Sequence, residues 1–294
     1  MPVVIERIPF ESYLHPKRTA NFVRDANDLD SKDLDYNTEI ARTNLMNYAN
    51  VIGYPIDHEY KFTKEEISKL LECAEIGIKV YRLSHLFEED LFPIIERMEA
   101  NLKDSLSCLL NGGLTCPSGQ GLWFVRFNSC SPKDGKGDFP ITNAKDLVEM
   151  IVTSSRARGA LESGDDTLYF VKYDTEWDAN KELRIFIHNQ QITAISQYNP
   201  YNVSYFSDKN DSYLNNLVKR IKDYLAEIIP MVCSATETNN LVCDLYLDHN
   251  DKFRIIEFNS FGYWLATGSV LFRWLDDKDK LYNQNGVIYL RILT

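Results

Sequence analysis

Three oxygen-bearing side chains, Asp244, Glu257 and Asn259, fall within one short segment, LVCDLYLDHNDKFRIIEFNSF, over residues 241–261. Two runs of alternating apolar and polar residues flank the polar stretch His249-Asn250-Asp251-Lys252, the pattern of a β-hairpin. With the turn centred between Asn250 and Asp251, Asp244 lies opposite Glu257. Cys243, Leu245 and Leu247 then share a core face with Ile256 and Phe258. The other face carries Asp244, Glu257 and, two residues on, Asn259. Opposed carboxylates repel each other, and a fold keeps them where a proton or a cation neutralises them. Oxygen donors of this kind suit Mg2+, which takes a few carboxylates plus substrate phosphates. The hairpin therefore reads as a platform for a metal and a nucleotide; a solvated hairpin face is the bland alternative. On this logic the double change Asp244→Asn with Glu257→Gln removes the repulsion along with the metal and leaves the fold intact.

Three cations could serve such a platform. Arg126 sits near the end of the aromatic run LWFVRF, Lys133 lies in the loop SPKDGKG, and Lys172 lies in the apolar run TLYFVKY. Cations at a strand end or in a glycine-containing loop suit polyphosphate. One inside an apolar strand needs a partner or a ligand. Glu182 and Arg184 share the polar face of a second hairpin and read either as an ion pair or as substrate contacts. Other chemistries lack their residues. There is no G-x-x-x-x-G-K-[ST] loop, no H-E-x-x-H, no G-x-S-x-G and no kinase catalytic loop. Lys133-Asp134-Gly135 is one residue short of the K-x-D-G of nucleotidyl-transferring ligases.

The elements that must position these groups can be traced along the chain. Residues 24–50 show little periodicity and read as a lid, an arm or irregular packing. Thr63 and Glu66 form a capping box ahead of a helix through Ile67, Leu70 and Leu71. A second helix spans about 88–110, with a kink expected at Pro93. Gly112, Gly113 and Pro117 mark a break. Then come the strand at 122–127, a helix from Asn143 to about Leu161, the strand TLYFVKY and the hairpin ELRIFIHNQQITAISQ. Its turn centres on Asn189-Gln190 and places Glu182 opposite Gln197, with Leu183, Ile185, Ile187, Ile192 and Ala194 facing the core. An amphipathic helix over 212–231 precedes the 241–261 hairpin. The division expected is an N-terminal region, 1–115, and a nucleotide-binding region, 116–294, with an internal break near 172–181. Hairpins make the sheets largely antiparallel, so the class is α+β.

At 294 residues the chain is long enough for one large domain or two modest ones. Apolar residues make up 44%, enough for a full core, and a net charge of −11 argues against broad binding to nucleic acid. None of the six cysteines stands in a C-x-x-C pair. The start, MPVVIERIPF, lacks a signal-peptide pattern and no apolar run approaches a membrane span. A cytoplasmic location is expected.

Taken in order, SPKDG, ELRIFI, AISQYN, CDLYLD, EFNSFG and LFRW resemble motifs of the cell division cycle protein 123 family, a divergent branch of the ATP-grasp fold. The likeness runs over roughly residues 120–276. It implies an ATP-grasp architecture of two α+β lobes and ATP with Mg2+ as ligands. By position it implies phosphate contacts from Arg126 and Lys172, with Lys133 orienting phosphate or substrate. It places the adenine-side hinge around Phe170 to Tyr173, and Mg2+ on Asp244, Glu257 and Asn259. The family often has Lys at 126, Arg at 172 and Asp at 257, so charge is kept at all three positions. The function expected is an ATP-dependent carboxylate–amine ligase working through an acyl phosphate, with Arg184 positioning the acceptor. The resemblance offers a second class, an ATP-binding assembly factor for translation initiation factor two that binds its gamma subunit. An RNA ligase is the third and least favoured by the charge.

Overall fold

The computed structural model describes residues 2–13, 36–80, 88–102, 121–265 and 267–294. Along the chain run β1 (Val3–Ile8), α1 (Phe10–Tyr13), α2 (Tyr36–Arg42), α3 (Leu45–Ile52), β2 (His58–Lys61), α4 (Lys64–Val80), α5 (Glu88–Leu102) and β3 (Trp123–Phe127). Next come α6 (Ala144–Thr153), α7 (Ser155–Glu162), β4 (Thr167–Lys172), β5 (Glu182–His188), β6 (Gln191–Gln197) and α8 (Asp211–Leu225). The chain ends with α9 (Ile228–Ala235), β7 (Leu241–Leu247), β8 (Phe253–Ser260), α10 (Lys278–Leu281) and β9 (Ile288–Leu293). The Gly112-Gly113-Pro117 break, the boundary at 115–116, the helix expected beyond residue 102 and the stretch 24–35 lie outside the described residues. The elements form two compact units: Met1–Tyr54 with Glu176–Thr294, and Pro55–Thr175. Each has a mixed α and β make-up, the class read from the hairpins.

The first unit is built on a six-stranded sheet in the order β1-β9-β6-β5-β7-β8. β9 lies parallel to both β1 and β6, and the remaining pairs are antiparallel. The central strands β5 and β7 are buried almost throughout. One face carries Cys243, Leu245 and Phe258. There Tyr48 of α3 meets Phe258 edge-on at 5.1 Å, and Tyr224 of α8 lies 5.5 Å from Phe253. The other face carries Phe186, Ala194 and Val242, packed with Phe261, Phe272, Trp274 and Leu281. The helix expected over 212–231 is two helices, with Pro230 in the first turn of α9, where its missing N–H costs no intrahelical bond. Asn210 caps α8 by accepting the Tyr213 N–H at 2.9 Å.

An ion cluster closes this sheet where the two chain ends meet. Glu6 of β1 sits opposite Arg291 of β9, which donates to Glu6 and, at 2.6 Å twice, to Asp277. Lys280 also donates to Glu6. Burial pushes both carboxyls up, but the donors outweigh it, so Glu6 lies below the ordinary 4.5 and Asp277 below 3.8. A depressed folded pKa contributes stability above the unfolded value and loses it as pH falls through the folded one. We therefore expect the thermal midpoint to drop on acidification below about pH 4. The variant Glu6→Gln with Asp277→Asn should flatten that acid limb. An acid limb identical to wild type would show that the cluster does not set it.

The second unit has a three-stranded antiparallel sheet, β2-β4-β3, backed by α4 to α7. The capping box forms as expected: Thr63 N–H donates to Glu66 at 2.7 Å and Glu66 N–H to Thr63 Oγ1 at 3.2 Å. Pro93 stands inside α5. The helix expected from Asn143 to Leu161 is broken at Ser154, which is extended at φ −96°, ψ 122° and caps α7. Among the described residues no helix is long and apolar enough to cross a membrane.

Candidate functional site

Two irregularities place Asp244 opposite Glu257. The β7–β8 connection is a three-residue loop centred on Asn250, with Asp251 left-handed at φ 63°. Asp248 fixes it by accepting the N–H groups of Asn250 and Lys252 at 2.8 and 2.9 Å. That centre alone would pair Asp244 with Ile256. A bulge between Asp244/Glu257 and Leu245/Ile255 leaves Ile256 as the extra residue and restores the pairing. The core face consequently carries Ile255 and Phe253 opposite Leu245 and Leu247, a correction to the placing of Ile256 there. A second bulge corrects the other hairpin. Asn189 and Gln190 form the turn, at φ 49° and 60°, but Thr193 is extra. Leu183, not Glu182, therefore faces Gln197, and Ala194 joins Phe186 on the opposite face.

Arg184 of β5 faces Asp244 of β7 directly. Its Nε and Nη2 donate to the two Asp244 oxygens at 2.8 and 2.7 Å, a bidentate pair with side chains only 9% and 2% exposed. Nη1 donates to the Gly268 carbonyl at 2.6 Å, and the guanidinium lies 4.8 Å from the centre of the Tyr198 ring. Burial works against the Arg184 charge, but Asp244 outweighs it and holds the group above its ordinary pKa. The apolar Phe186–Val242 packing continues along this same face and accounts for the low exposure of the pair.

The Asn259 amide nitrogen reaches Asp244 Oδ2 and Glu257 Oε1, both at 3.2 Å. The three side chains named from the sequence thus converge on one point. Turning the amide presents its oxygen there instead. The set is all hard oxygen, fits Mg2+ with water and phosphates completing its shell, and does not suit a softer metal. Among the described residues no group of three or more His, Cys, Asp or Glu is placed to hold a metal, so a cation on this face would depend on two carboxylates and an amide. Tyr198 falls within AISQYN, but nothing in the sequence pattern marks it, or Gly268, as a partner of Arg184.

In the second unit, Arg126 and Lys172 fall on opposite faces of the sheet. Arg126 pairs with Tyr169, whereas Lys172 pairs with Trp123. Arg126 is 3% exposed. Lys172 is exposed at the end of β4, so it needs no buried partner. Phe170 belongs to the core, edge-on to Trp123 at 6.3 Å. Tyr173 is half-buried and its N–H donates to the Leu122 carbonyl at 2.8 Å. Lys133 is exposed at the turn Pro132–Gly135. That turn is bolted to the α6–α7 junction: Ser154 Oγ donates to Asp134, and Lys136 N–H donates to Thr153 Oγ1 at 2.7 Å. Gly135 permits the approach, since a Cβ there would stand 2.1 Å from the Met150 carbonyl oxygen. Gly135→Ala should therefore cost about 1–3 kcal/mol, read as a lower urea midpoint. An unchanged midpoint would mean that the turn shifts freely.

The fold and the paired-carboxylate hairpin together define an α+β protein whose first unit gathers Asp244, Glu257 and Asn259 on one strand-pair face. The family model described as D123 matches residues 145–294. The chain belongs to this family, that of cell division cycle protein 123. It is similar to Cdc123 from Schizosaccharomyces pombe at 16% identity, with a TM-score of 0.58 over 87% of this chain and 98% of that one. A CDC123-like protein of Acanthamoeba polyphaga mimivirus is 29% identical over 174 residues, 54% of this chain. That match spans 50% of the viral protein's length. Structures of ATP-grasp ligases also match, among them D-alanine–D-alanine ligase from Bacillus anthracis complexed with ATP. Its identity is 13% and its TM-score 0.38, over 83% of this chain and 62% of that one.

Proposed function

We propose that this chain binds Mg-ATP, with the metal on Asp244, Glu257 and Asn259, and spends the ATP in joining a carboxylate to an amine. The observation that carries the reading is the convergence of those three side chains on one face, with Asn259 3.2 Å from both carboxylates. Bound Mg2+ supplies charge neutralisation on the phosphates. Lys133 and Lys172, both exposed, are the proposed phosphate contacts; Arg126, expected from the sequence to join them, is 3% exposed. In the reaction, an acceptor carboxylate oxygen attacks the γ-phosphorus and ADP leaves. The amine nitrogen then attacks the acyl carbon and expels inorganic phosphate. No side chain need act as a covalent nucleophile, which agrees with the lack of a triad in the sequence.

Membership of the Cdc123 family favours a second reading. Here ATP holds a conformation while the protein assists assembly of translation initiation factor two through its gamma subunit. The two readings separate on incubation with Mg-ATP and candidate acceptors, followed by mass spectrometry. ADP with a mass-shifted amide product supports the ligase. Intact ATP bound at equilibrium, with a stable initiation-factor complex, sinks the ligase and supports the assembly factor.

A further inference from the structure

The sequence predicts that Arg184 positions an acceptor. Its geometry gives it a different task. Both its edges are occupied by the protein: Nε and Nη2 by Asp244, Nη1 by the Gly268 carbonyl. One face of the guanidinium rests on Tyr198. With 9% of the side chain exposed, little of it is left to meet a ligand.

The backbone that takes Nη1 is itself anchored. Trp274 Nε1 donates to the Thr267 carbonyl at 2.8 Å, Tyr13 Oη to that of Val270 at 3.0 Å, and Arg291 Nη1 to that of Leu271 at 3.1 Å. Leu271 N–H donates to Ser196 Oγ at 3.3 Å. Val270 is left-handed at φ 52°, a conformation a β-branched residue adopts only where its surroundings enforce it. Residues 267–272 are therefore a fixed shelf, and the guanidinium they hold is fixed with them.

We propose, resting on the Mg-ATP reading above, that Arg184 is the resident counter-ion of the candidate metal face. It is a positioning residue: it orients Asp244 and cancels that carboxylate's charge. A face with one carboxylate already neutralised attracts a bare divalent cation weakly. The metal is taken there only together with a polyphosphate, whose own oxygens complete its shell.

The test is Mn2+ binding, followed by loss of the free-ion electron paramagnetic resonance signal without nucleotide, and Mn-ATP binding by calorimetry. Wild-type protein should leave the free Mn2+ signal unchanged and bind Mn-ATP. Arg184→Gln should gain binding of Mn2+ alone, at least about tenfold tighter than wild type, a gain that mere loss of structure cannot produce. Arg184→Lys keeps the charge but not the bidentate grip. It should remain blind to Mn2+ alone and lose about tenfold in Mn-ATP affinity, which keeps the proposal testable if the Gln variant does not fold. Wild-type binding of Mn2+ alone, or a Lys variant equal to wild type in Mn-ATP affinity, overturns the counter-ion role by itself. Wild type that binds no Mn-ATP overturns the nucleotide reading, and this inference with it.

Discussion

Asp244→Asn should lower the stability of the protein by about 3–5 kcal/mol, the usual consequence of removing one member of a buried ion pair. Sequence alone pointed the other way, since two opposed carboxylates repel and neutralising them should relieve the hairpin. Arg184 reverses the sign. Its guanidinium cannot deprotonate, and its two bonds to Asp244, at 2.8 and 2.7 Å, join side chains 9% and 2% exposed. Asn offers one acceptor where the carboxylate offered two and turns an N–H toward another donor. Urea unfolding should show a lower midpoint at unchanged slope. Adding Arg184→Met to Asp244→Asn should recover a large part of the loss, because the unpaired charge leaves with its partner. If the single variant unfolds at the wild-type midpoint, the bidentate pair does not hold this sheet.

Period-2 patterning made both hairpins legible, because inward and outward residues alternate wherever one face is buried. The capping box at Thr63 and Glu66 was legible for the same local reason, two side chains three residues apart. Bulges are not written in that pattern. The extra residue at Thr193 changed the partner of Gln197, and the one at Ile256 happened to offset a turn centred half a residue early. The pairing of Asp244 with Glu257 was thus reached through two compensating slips. β1 and β9 lay beyond local reading altogether. They join the two ends of the chain in parallel, through Glu6 and Arg291, and nothing within either hexamer announces the other. At the site, the sequence brought together the three side chains that share a face but not the guanidinium that bridges β5 to β7. Arg184 looked like a neighbour of Glu182, because i and i+2 share a strand face. Cross-strand register chose Asp244 instead.

Glu257→Gln separates function from fold where Asp244→Asn confounds them. Glu257 is only partly buried, and Arg184 directs both of its carboxylate bonds to Asp244. The isosteric Gln keeps an oxygen within reach of the Asn259 amide, which stands 3.2 Å from Glu257 Oε1. The urea midpoint should therefore move by less than about 0.5–1 kcal/mol equivalent. Nucleotide binding should respond strongly. Removing one full negative charge from a three-donor oxygen set weakens a divalent cation by at least about tenfold, or 1.4 kcal/mol. The loss should appear in calorimetry of ATP with Mg2+ present and vanish when the metal is chelated, because the substitution touches no proposed phosphate contact. Asn259→Ala should mimic it more mildly, since it removes a neutral donor. Equal Mg-ATP affinity for Glu257→Gln and wild type would take the metal off this hairpin. A loss that persists without Mg2+ would make Glu257 a contact of the nucleotide itself.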